Sequence, residues 1–518
     1  METVSGVPAQ APRFTIGDLP ARGARLWPGQ AALVWDGGTS SRSYAALDDR
    51  VRRLVTVLAG AGVTEGARVG ILAHNHPEYF ELFFACAHLG AAMVPLNTRL
   101  SAAEISYQAR DSGMSHAIID PALRDLADAA GLPGLPHWII GDSYEKALED
   151  AVPAPGARSR DDSLDVAQMY TSGTTGFPKG CTQTCRGWLQ SALNFSQGLR
   201  LPPAASVLSA APYFHAFGFG LSLAHLVVGG TVVALADQGK GEFWTDLGRY
   251  HPHTVTPLGS PPRSLQAEPS VGIFIGQAGL YNDRIGSFLK HAFPNAEYRG
   301  MYGLTEATNI VMTSTDEQER KRPGTLGRPL PGVDVMVAGL GGGPADPAAP
   351  AAPGEIGELL LRGDQVCSGY WGNEAATREL FAGGWLHTGD LVSQDADGWI
   401  YFKDRGKDMI RSGGENVYSA EVERVLAASP LVAEVAVFGV PDDRWAEAVK
   451  AVVVLSGDDP DAIEKLDEYC RASFAPYKRP RWYQVIDELP RNALGKVLKT
   501  RLREEHDPAA SIRLKERS

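Results

Sequence analysis

Between Tyr170 and Gly180 the chain reads Tyr-Thr-Ser-Gly-Thr-Thr-Gly-Phe-Pro-Lys-Gly, so eleven residues hold three glycines, three threonines, one serine and one lysine. Glycine lets backbone N–H groups turn inward and approach a ligand closely. The hydroxyls of Thr171, Ser172, Thr174 and Thr175 add donors around Gly173 and Gly176, and Lys179 adds a positive charge. Such a set suits a phosphate chain. It is not a Walker A loop, in which glycine and lysine are adjacent and a hydroxyl residue follows the lysine. Here Pro178 precedes Lys179 and Gly180 follows it. A flexible surface loop is the plainer alternative, but a linker has no need of an ordered Thr-Ser-Gly-Thr-Thr-Gly run.

A loop of this kind needs a rigid mount, and the flanking pattern supplies one. Ser163 to Tyr170 reads as a strand leading into the loop, and a helix is expected after it. Upstream, Tyr44 to Ala61 is a helix with apolar residues at Leu47, Val51, Leu54 and Leu58. Arg68 to Ala73 is a buried strand, Pro77 to Leu89 a helix with proline in its first turn, and Ala92 to Leu96 a strand. Ser101 and Glu104 form a capping box for the next helix, and His116 to Asp120 is a further strand. Strand–helix repeats of this kind indicate a parallel sheet covered on both faces.

Downstream, Val271 to Gly276 and Ala296 to Tyr302 are expected as strands, and the Gly/Ala/Pro-rich run from Gly339 to Gly354 as a surface loop between two more. Gly357 to Arg362, and Trp399 to Lys403 after the Asp397-Gly398 turn, are shorter and hairpin-like. From Lys407 onward a second unit follows, with helices Ser419 to Ala428 and Ala462 to Ala472 and strands Val432 to Val440, Ala448 to Leu455 and Arg481 to Ile486.

The 518 residues exceed one hydrophobic core, so two or more domains are expected. The formal charge of −12 argues against nonspecific nucleic-acid binding. Five scattered cysteines, Cys86, Cys181, Cys185, Cys367 and Cys470, argue against a disulfide framework and for a reducing, cytoplasmic setting. The N-terminus lacks the pattern of a signal peptide. Residues 201–236 carry no charged residue, but Pro202, Pro203, Pro212 and Gly229-Gly230 break the run. It reads as a buried helix, Phe217 to Val228, and a buried strand, Thr231 to Leu235, with no integral membrane association.

Six stretches together resemble the superfamily of acyl-CoA synthetases, peptide-synthetase adenylation domains and luciferases, in that superfamily's order, from about Arg42 to Arg501. They are the Tyr170–Gly180 loop, Pro212-Tyr-Phe-His-Ala-Phe217, Tyr302-Gly-Leu-Thr-Glu306, Trp385-Leu-His-Thr-Gly-Asp390, the run from Asp404 to Asn416, and Pro490-Arg-Asn-Ala-Leu-Gly-Lys496. The resemblance implies an α/β fold. A large N-terminal domain (residues 1–406) of layered parallel sheets with helices and a small β-barrel-like subdomain would precede a small mobile α+β C-terminal domain (residues 407–518), with its hinge at Lys407.

The activity implied is that of an acid–CoA ligase. A carboxylate attacks the α-phosphorus of ATP, giving an acyl-adenylate and pyrophosphate, and the CoA thiol then takes the acyl group and releases AMP. By resemblance Thr171 to Gly176 and Lys179 cradle the phosphates, and Thr305 meets the α-phosphate. Glu306, with Thr171, holds Mg2+, a hard cation that prefers oxygen ligands. Gln277, Ala278, Gly279, Met301, Tyr302 and Gly303 flank the adenine. Asp390 and Arg405 reach the ribose. Lys496 serves adenylation. Lys407, Ser412, Gly413, Gly414 and Glu415 belong to the hinge and the pantetheine tunnel, and Trp445, Tyr477, Lys478 and Arg479 meet the CoA nucleotide. His215 resembles a gate between acid and thiol, with a plain core histidine nearly as good a reading. Phe217, Phe219, Ile275, Gly276 and Gly303 would make the acid pocket.

Two departures from the family pattern stand out. Gly276-Gln-Ala-Gly-Leu280 replaces a run that often has two glycines before alanine and a proline before leucine, which leaves pocket shape open. Cys185 stands where histidine is common. No aspartate follows His215 closely, so an acid without an α-amine is favoured: aliphatic, aryl or polycyclic. A separate carrier protein as acceptor, a non-catalytic adenylate-binding protein, and a homodimer are the alternatives left open.

Overall fold

The computed structural model describes residues 14–155, 161–171, 178–235, 242–256, 265–340, 345–412, 415–442, 444–491 and 497–513. The chain forms two compact units, Met1–Val335 with Leu361–His387, and Met336–Leu360 with Thr388–Ser518. Compactness thus groups residues 388–406 with the chain that follows them.

In the first unit, a seven-stranded sheet has the order Gly369–Tyr370, Lys179–Thr184, Asp165–Thr171, Ala92–Pro95, Arg68–Leu72, His116–Ile119, His137–Ile139. Its inner strands are parallel, as the strand–helix alternation requires. Arg68–Leu72 and Ala92–Pro95 are buried throughout, because helices cover both faces. Helix Tyr44–Gly60 is capped by Ser43 and buries Leu47, Val51, Leu54 and Leu58, the predicted stripe. Helix Ala102–Ser112 begins with the expected Ser101–Glu104 capping box, and Gly113 (φ 65°) ends it.

Helix Glu78–Leu89 is buried almost all round, including Glu78 and Glu81. Those carboxylates survive burial through charge pairing: Arg42 lies 2.9 Å from Glu78 and 2.6 Å from Glu81, and Arg50 lies 2.6 Å from Glu81 and 2.7 Å from Glu145.

Nine further strands of the first unit run in the order Thr325–Pro329, Asn309–Thr315, Glu297–Leu304, Ile273–Gln277, Thr254–Thr256, Val207–Ser209, Val232–Ala234, Ala31–Trp35, Ser40–Ser43. The middle is parallel and both ends are antiparallel. The uncharged segment becomes helix Ala216–Val227 and strand Val232–Ala234, as predicted. No helix among the described residues is long and apolar enough to cross a membrane.

The structure differs from the sequence reading just after the phosphate loop. The chain returns as a strand, Lys179–Thr184, antiparallel to Asp165–Thr171, and only then enters helix Cys185–Leu199. Threonines and Gln183 hide this strand from a hydrophobic pattern, yet four of its six residues are buried.

Strands Val333–Gly339, Ile356–Gly363, Leu386–Gln394 and Ile400–Arg405 are neighbours in that order, and the chain passes from one unit to the other within the first three. A second sheet has the order Glu415–Val417, Ile410–Ser412, Ala446–Leu455, Trp482–Val485, Ile512–Arg513, with Val432–Asp442 also paired to Ala446–Leu455. Helices Ser419–Ala427 and Ala462–Ser473 pack Val422, Leu426, Ile463 and Leu466 into its core. Lys450, in the sheet's centre, is 0 % exposed. Its ammonium donates to Gln484 Oε1 (2.7 Å), His506 Nδ1 (2.9 Å) and Ser511 Oγ (3.0 Å).

Candidate active site

The hairpin of Asp165–Thr171 and Lys179–Thr184 pairs Thr171 with Lys179, which brings the two ends of the phosphate loop together. Ser172, Gly173, Thr174, Thr175 and Gly176 lie outside the described residues. Lys179 Nζ sits 4.9 Å from the centroid of the Tyr370 ring.

Met301, Tyr302 and Gly303 end the strand Glu297–Leu304, and Thr305 and Glu306 occupy the turn after it. The turn is held by long-range bonds. Gln183 Nε2 donates to the Thr305 carbonyl (2.7 Å), and Cys367 N–H to the Glu306 carbonyl (2.8 Å). Gln365 Nε2 donates to Ala307 and Ile310 carbonyls. The Glu306 carboxylate accepts from the Tyr370 hydroxyl at 2.9 Å. Thr308 (φ 51°) and Asn309 (φ 135°) then adopt a left-handed backbone that costs energy for non-glycine residues. Asn309 Nδ2 offsets this by donating to the Ala216 carbonyl at 2.7 Å, tying the Glu306 turn to the helix behind His215.

Strand Ile273–Gln277 lies parallel to Glu297–Leu304, with Gly276 beside Gly300 and Gln277 beside Met301. A Cβ on Gly276 would come within 2.5 Å of the Tyr298 ring. Gly279 follows the buried Ala278 with φ 81°, so the altered Gly276–Leu280 run still needs glycine at that turn. Gly303 has no room for a side chain either, since a Cβ would meet the Asn309 carbonyl at 2.1 Å.

His215 caps helix Ala216–Val227, its Nδ1 accepting from Phe217 N–H at 3.3 Å. Loss of hydration lowers its pKa to about 4, so the ring is neutral at physiological pH. The loop before it is fixed by the buried Asn75, which donates to the Ala211 carbonyl (3.1 Å) and accepts from Tyr213 N–H (2.8 Å). Phe217 is half-buried and Ile275 buried. Phe219, expected on the acid pocket, is 0 % exposed. Its ring lies 5.1 Å from Phe80, 5.0 Å from Phe83 and 5.5 Å from Trp188. It is a core residue that backs the segment rather than a surface on it.

In the second unit, Asp390 and Arg405 are paired across the antiparallel strands Leu386–Gln394 and Ile400–Arg405. Arg405 Nε lies 2.6 Å from Asp390 Oδ1, and Asp390 is 0 % exposed. Lys407 is exposed in the turn Gly406–Asp408, whose Asp408 is tied to Arg503 at 2.8 Å. Ser412 is buried and Glu415 exposed on a hairpin, while Gly413 and Gly414 lie outside the described residues. Trp445 is flanked by the guanidinium carbons of Arg444 (5.0 Å) and Arg481 (5.2 Å). Lys478 beside Tyr477 pairs with Glu421 at 2.8 Å, and Arg479 Nε is buried with no hydrogen-bond partner among the described residues. Lys496 lies outside the described residues, between Arg491 and Val497, which form a bridge.

Sequence reasoning passed over Asn75, Gln183, Gln365 and Tyr370. Tyr370 alone carried a signal, an aromatic pair between glycines in Gly369-Tyr-Trp-Gly372.

A family model described as AMP-binding enzyme matches residues 21–371, and a second, described as AMP-binding enzyme C-terminal domain, matches residues 421–496. The chain belongs to the AMP-binding enzymes. This AMP-binding enzyme is 36% identical over 498 residues to a feruloyl-CoA synthase of Amycolatopsis sp., covering 94% of this chain and 98% of that protein. It is 33% identical over 510 residues to a long-chain-fatty-acid–CoA ligase of Mycobacterium tuberculosis, covering 95% and 98%. Among solved structures, the anthranilate CoA ligase AuaEII with anthranoyl-AMP superposes with a TM-score of 0.85 at 26% identity, covering 96% of this chain and 98% of that one. The protein is an AMP-forming acid–thiol ligase that uses ATP and CoA.

Proposed function

We propose that this ligase activates a hydrophobic carboxylic acid lacking an α-amine (fatty, aryl or polycyclic) and passes it to CoA, with the residues above in the following roles. The observation that supports the reading best is the meeting of Lys179 and Glu306 at one aromatic ring, a cation for phosphate beside a carboxylate for a hard cation. The donor set suits Mg2+, since Glu306 and Thr171 offer oxygen ligands. When bound there, the metal neutralises charge on the phosphates.

In adenylation, Lys179 and the loop Thr171–Gly176 hold the β- and γ-phosphates. Thr305 steadies the α-phosphate. Tyr302, Met301 and the backbone from Gln277 to Gly279 receive the adenine. Asp390 and Arg405 accept and orient the ribose. A carboxylate oxygen bonds to the α-phosphorus while the bond to the bridging oxygen breaks, and pyrophosphate leaves. Lys496 supplies positive charge to the reacting oxygens at that moment. The chain then turns at Lys407, the boundary proposed between residues 1–406 and 407–518. The segment from Ser412 to Glu415, which includes Gly413 and Gly414, takes Lys496's place and lets the thiol pass. The sulfur attacks the acyl carbon and AMP leaves. The neutral His215 ring is the gate between acid and thiol. Phe217, Ile275, Gly276 and Gly303 bound the acid, and Phe219 supports them from behind. Trp445 between two arginines, with Tyr477, Lys478 and Arg479, is suited to the CoA nucleotide.

The test is pyrophosphate release over a panel of fatty, aryl and polycyclic acids, followed by CoA-dependent AMP formation. Turnover with at least one such acid and with free CoA is expected. Adenylation without CoA-dependent AMP formation would give the acceptor role to a carrier protein, and no pyrophosphate with any acid would favour a non-catalytic adenylate-binding protein. Light scattering separates monomer from homodimer. Five buried free cysteines support a reducing, cytoplasmic setting.

A further inference from the structure

The two-residue strand Gly369–Tyr370 has no part in the roles assigned above, yet it is fastened from every side. It joins the edge of the seven-stranded sheet with Tyr370 opposite Cys181. Trp371 N–H donates to the Gly180 carbonyl at 2.8 Å, and Tyr370 N–H to Thr377 Oγ1 at 3.0 Å. The Arg68 guanidinium carbon lies 3.4 Å from the centroid of the Trp371 indole. A backbone held this firmly sends the Tyr370 phenol to one place, the Glu306 carboxylate at 2.9 Å. On the face of the same ring sits Lys179 Nζ at 4.9 Å. Three residues earlier, Cys367 N–H holds the Glu306 carbonyl. One short segment therefore fixes Glu306 by main chain and side chain and seats the lysine of the phosphate loop.

We propose that Tyr370 is a positioning residue for the metal–triphosphate end of the site. Its hydroxyl holds one oxygen of Glu306 so that the other faces a divalent cation, and its ring sets Lys179 against the phosphates. The inference rests on the reading of Glu306 as the magnesium ligand. A hydrogen bond to a carboxylate is short and strong, and it removes the rotation that would scatter the free oxygen. Outer partners of metal-ligating carboxylates typically affect metal affinity by about 10- to 100-fold.

The hydroxyl and the ring make separable predictions. Mn2+ binding to the enzyme–ATP complex is read from the free-ion electron paramagnetic resonance signal, and ATP binding without metal is read by calorimetry in EDTA. Tyr370→Phe keeps the ring, so it should weaken Mn2+ by about 10-fold, leave metal-free ATP binding as in the wild type, and leave the KM for the acid unchanged. Tyr370→Leu should weaken metal-free ATP binding as well, because Lys179 loses its seat. Wild-type Mn2+ affinity in Tyr370→Phe overturns the inference, and so does an equal loss of metal, ATP and acid binding, which would mark plain packing. Glu306→Gln separates the two levels. If it weakens Mn2+ and Tyr370→Phe does not, only the role of Tyr370 falls. If Glu306→Gln leaves Mn2+ affinity unchanged, the reading of Glu306 itself falls.

Discussion

Phe217 and Phe219 lie two residues apart on one helix, and replacing each by alanine should have opposite consequences. Phe219 is fully buried, and three rings stand within 5.5 Å of it. Phe→Ala in a core costs about 3–5 kcal/mol, and ring pairs at such distances are each worth about 0.5–1.5 kcal/mol beyond buried area. Phe219→Ala should therefore lose about 4 kcal/mol. Phe217 is half-buried and meets one ring, Phe195, at 5.9 Å. Its truncation should lose only about 1 kcal/mol, about half of a full burial. The functional effects should reverse. A contact removed from an apolar pocket shifts the preference between two acids by about 10- to 200-fold, so Phe217→Ala should change the ratio of kcat/KM for a long and a short acid. Phe219→Ala should leave that ratio within about twofold, since a ratio is insensitive to the fraction of folded enzyme. Stability is measured by urea unfolding followed through tryptophan fluorescence, and preference by pyrophosphate release. If Phe219→Ala cost less than about 1 kcal/mol while shifting the preference, the separation of core from pocket would be refuted.

Three further outcomes are expected. Lys496→Ala should abolish adenylation yet spare thioester formation from supplied acyl-adenylate, and equal loss of both half-reactions would contradict the division of roles. Lys407→Pro fixes φ at the turn, so pyrophosphate release should persist while thioester formation falls by about 100-fold or more if domain gating limits the step. The half-reactions run separately decide this, and an equal fall would mean the proline had damaged the fold. His225 is 0 % exposed and burial, first among the causes, lowers its pKa to about 4 from 6.5. The unfolded chain thus binds the extra proton between those values, and the stabilisation present above pH 6.5 is lost as pH falls toward 4, by about 3 kcal/mol. His225→Gln should flatten that part of the stability–pH curve, and an unchanged slope between pH 6.5 and 4 would exclude His225 as its source.

What could be read in the sequence follows from what each element is made of. Helices such as Tyr44–Gly60 and parallel strands such as Arg68–Leu72 announce themselves by apolar spacing, because burial alone specifies them. Lys179–Thr184 does not, because it is a buried strand of polar residues whose partners lie far off: Gln183 reaches Thr305, and Thr182 reaches Gly369. Gly369–Tyr370 is only two residues long and exists through its partner strand and Thr377. The same reason explains the missed site residues. Lys179, Thr305 and Glu306 were visible as members of ordered motifs, whereas Asn75, Gln183 and Tyr370 act through contacts across 64 to 138 positions of sequence. Phe219 shows the converse. Its neighbours in sequence suggested a pocket, and only the rings of Phe80, Phe83 and Trp188 reveal a core position.

An enzyme that makes activated acyl groups lives beside its own electrophile, and its amines are the natural casualties. Lys450 would be an obvious one. Burial lowers its pKa, and an amine that sheds its proton readily is a better nucleophile. The same burial closes the route, since Gln484, His506 and Ser511 occupy the hydrogen-bonding directions around its nitrogen. Gln484 belongs to the neighbouring strand, and His506 and Ser511 come from the end of the described chain, so the segment from His506 to Ser511 acts as a chemical shield as well as a strut. Lys407, by contrast, is exposed in its turn, where a lost charge would leave the centre of the sheet untouched.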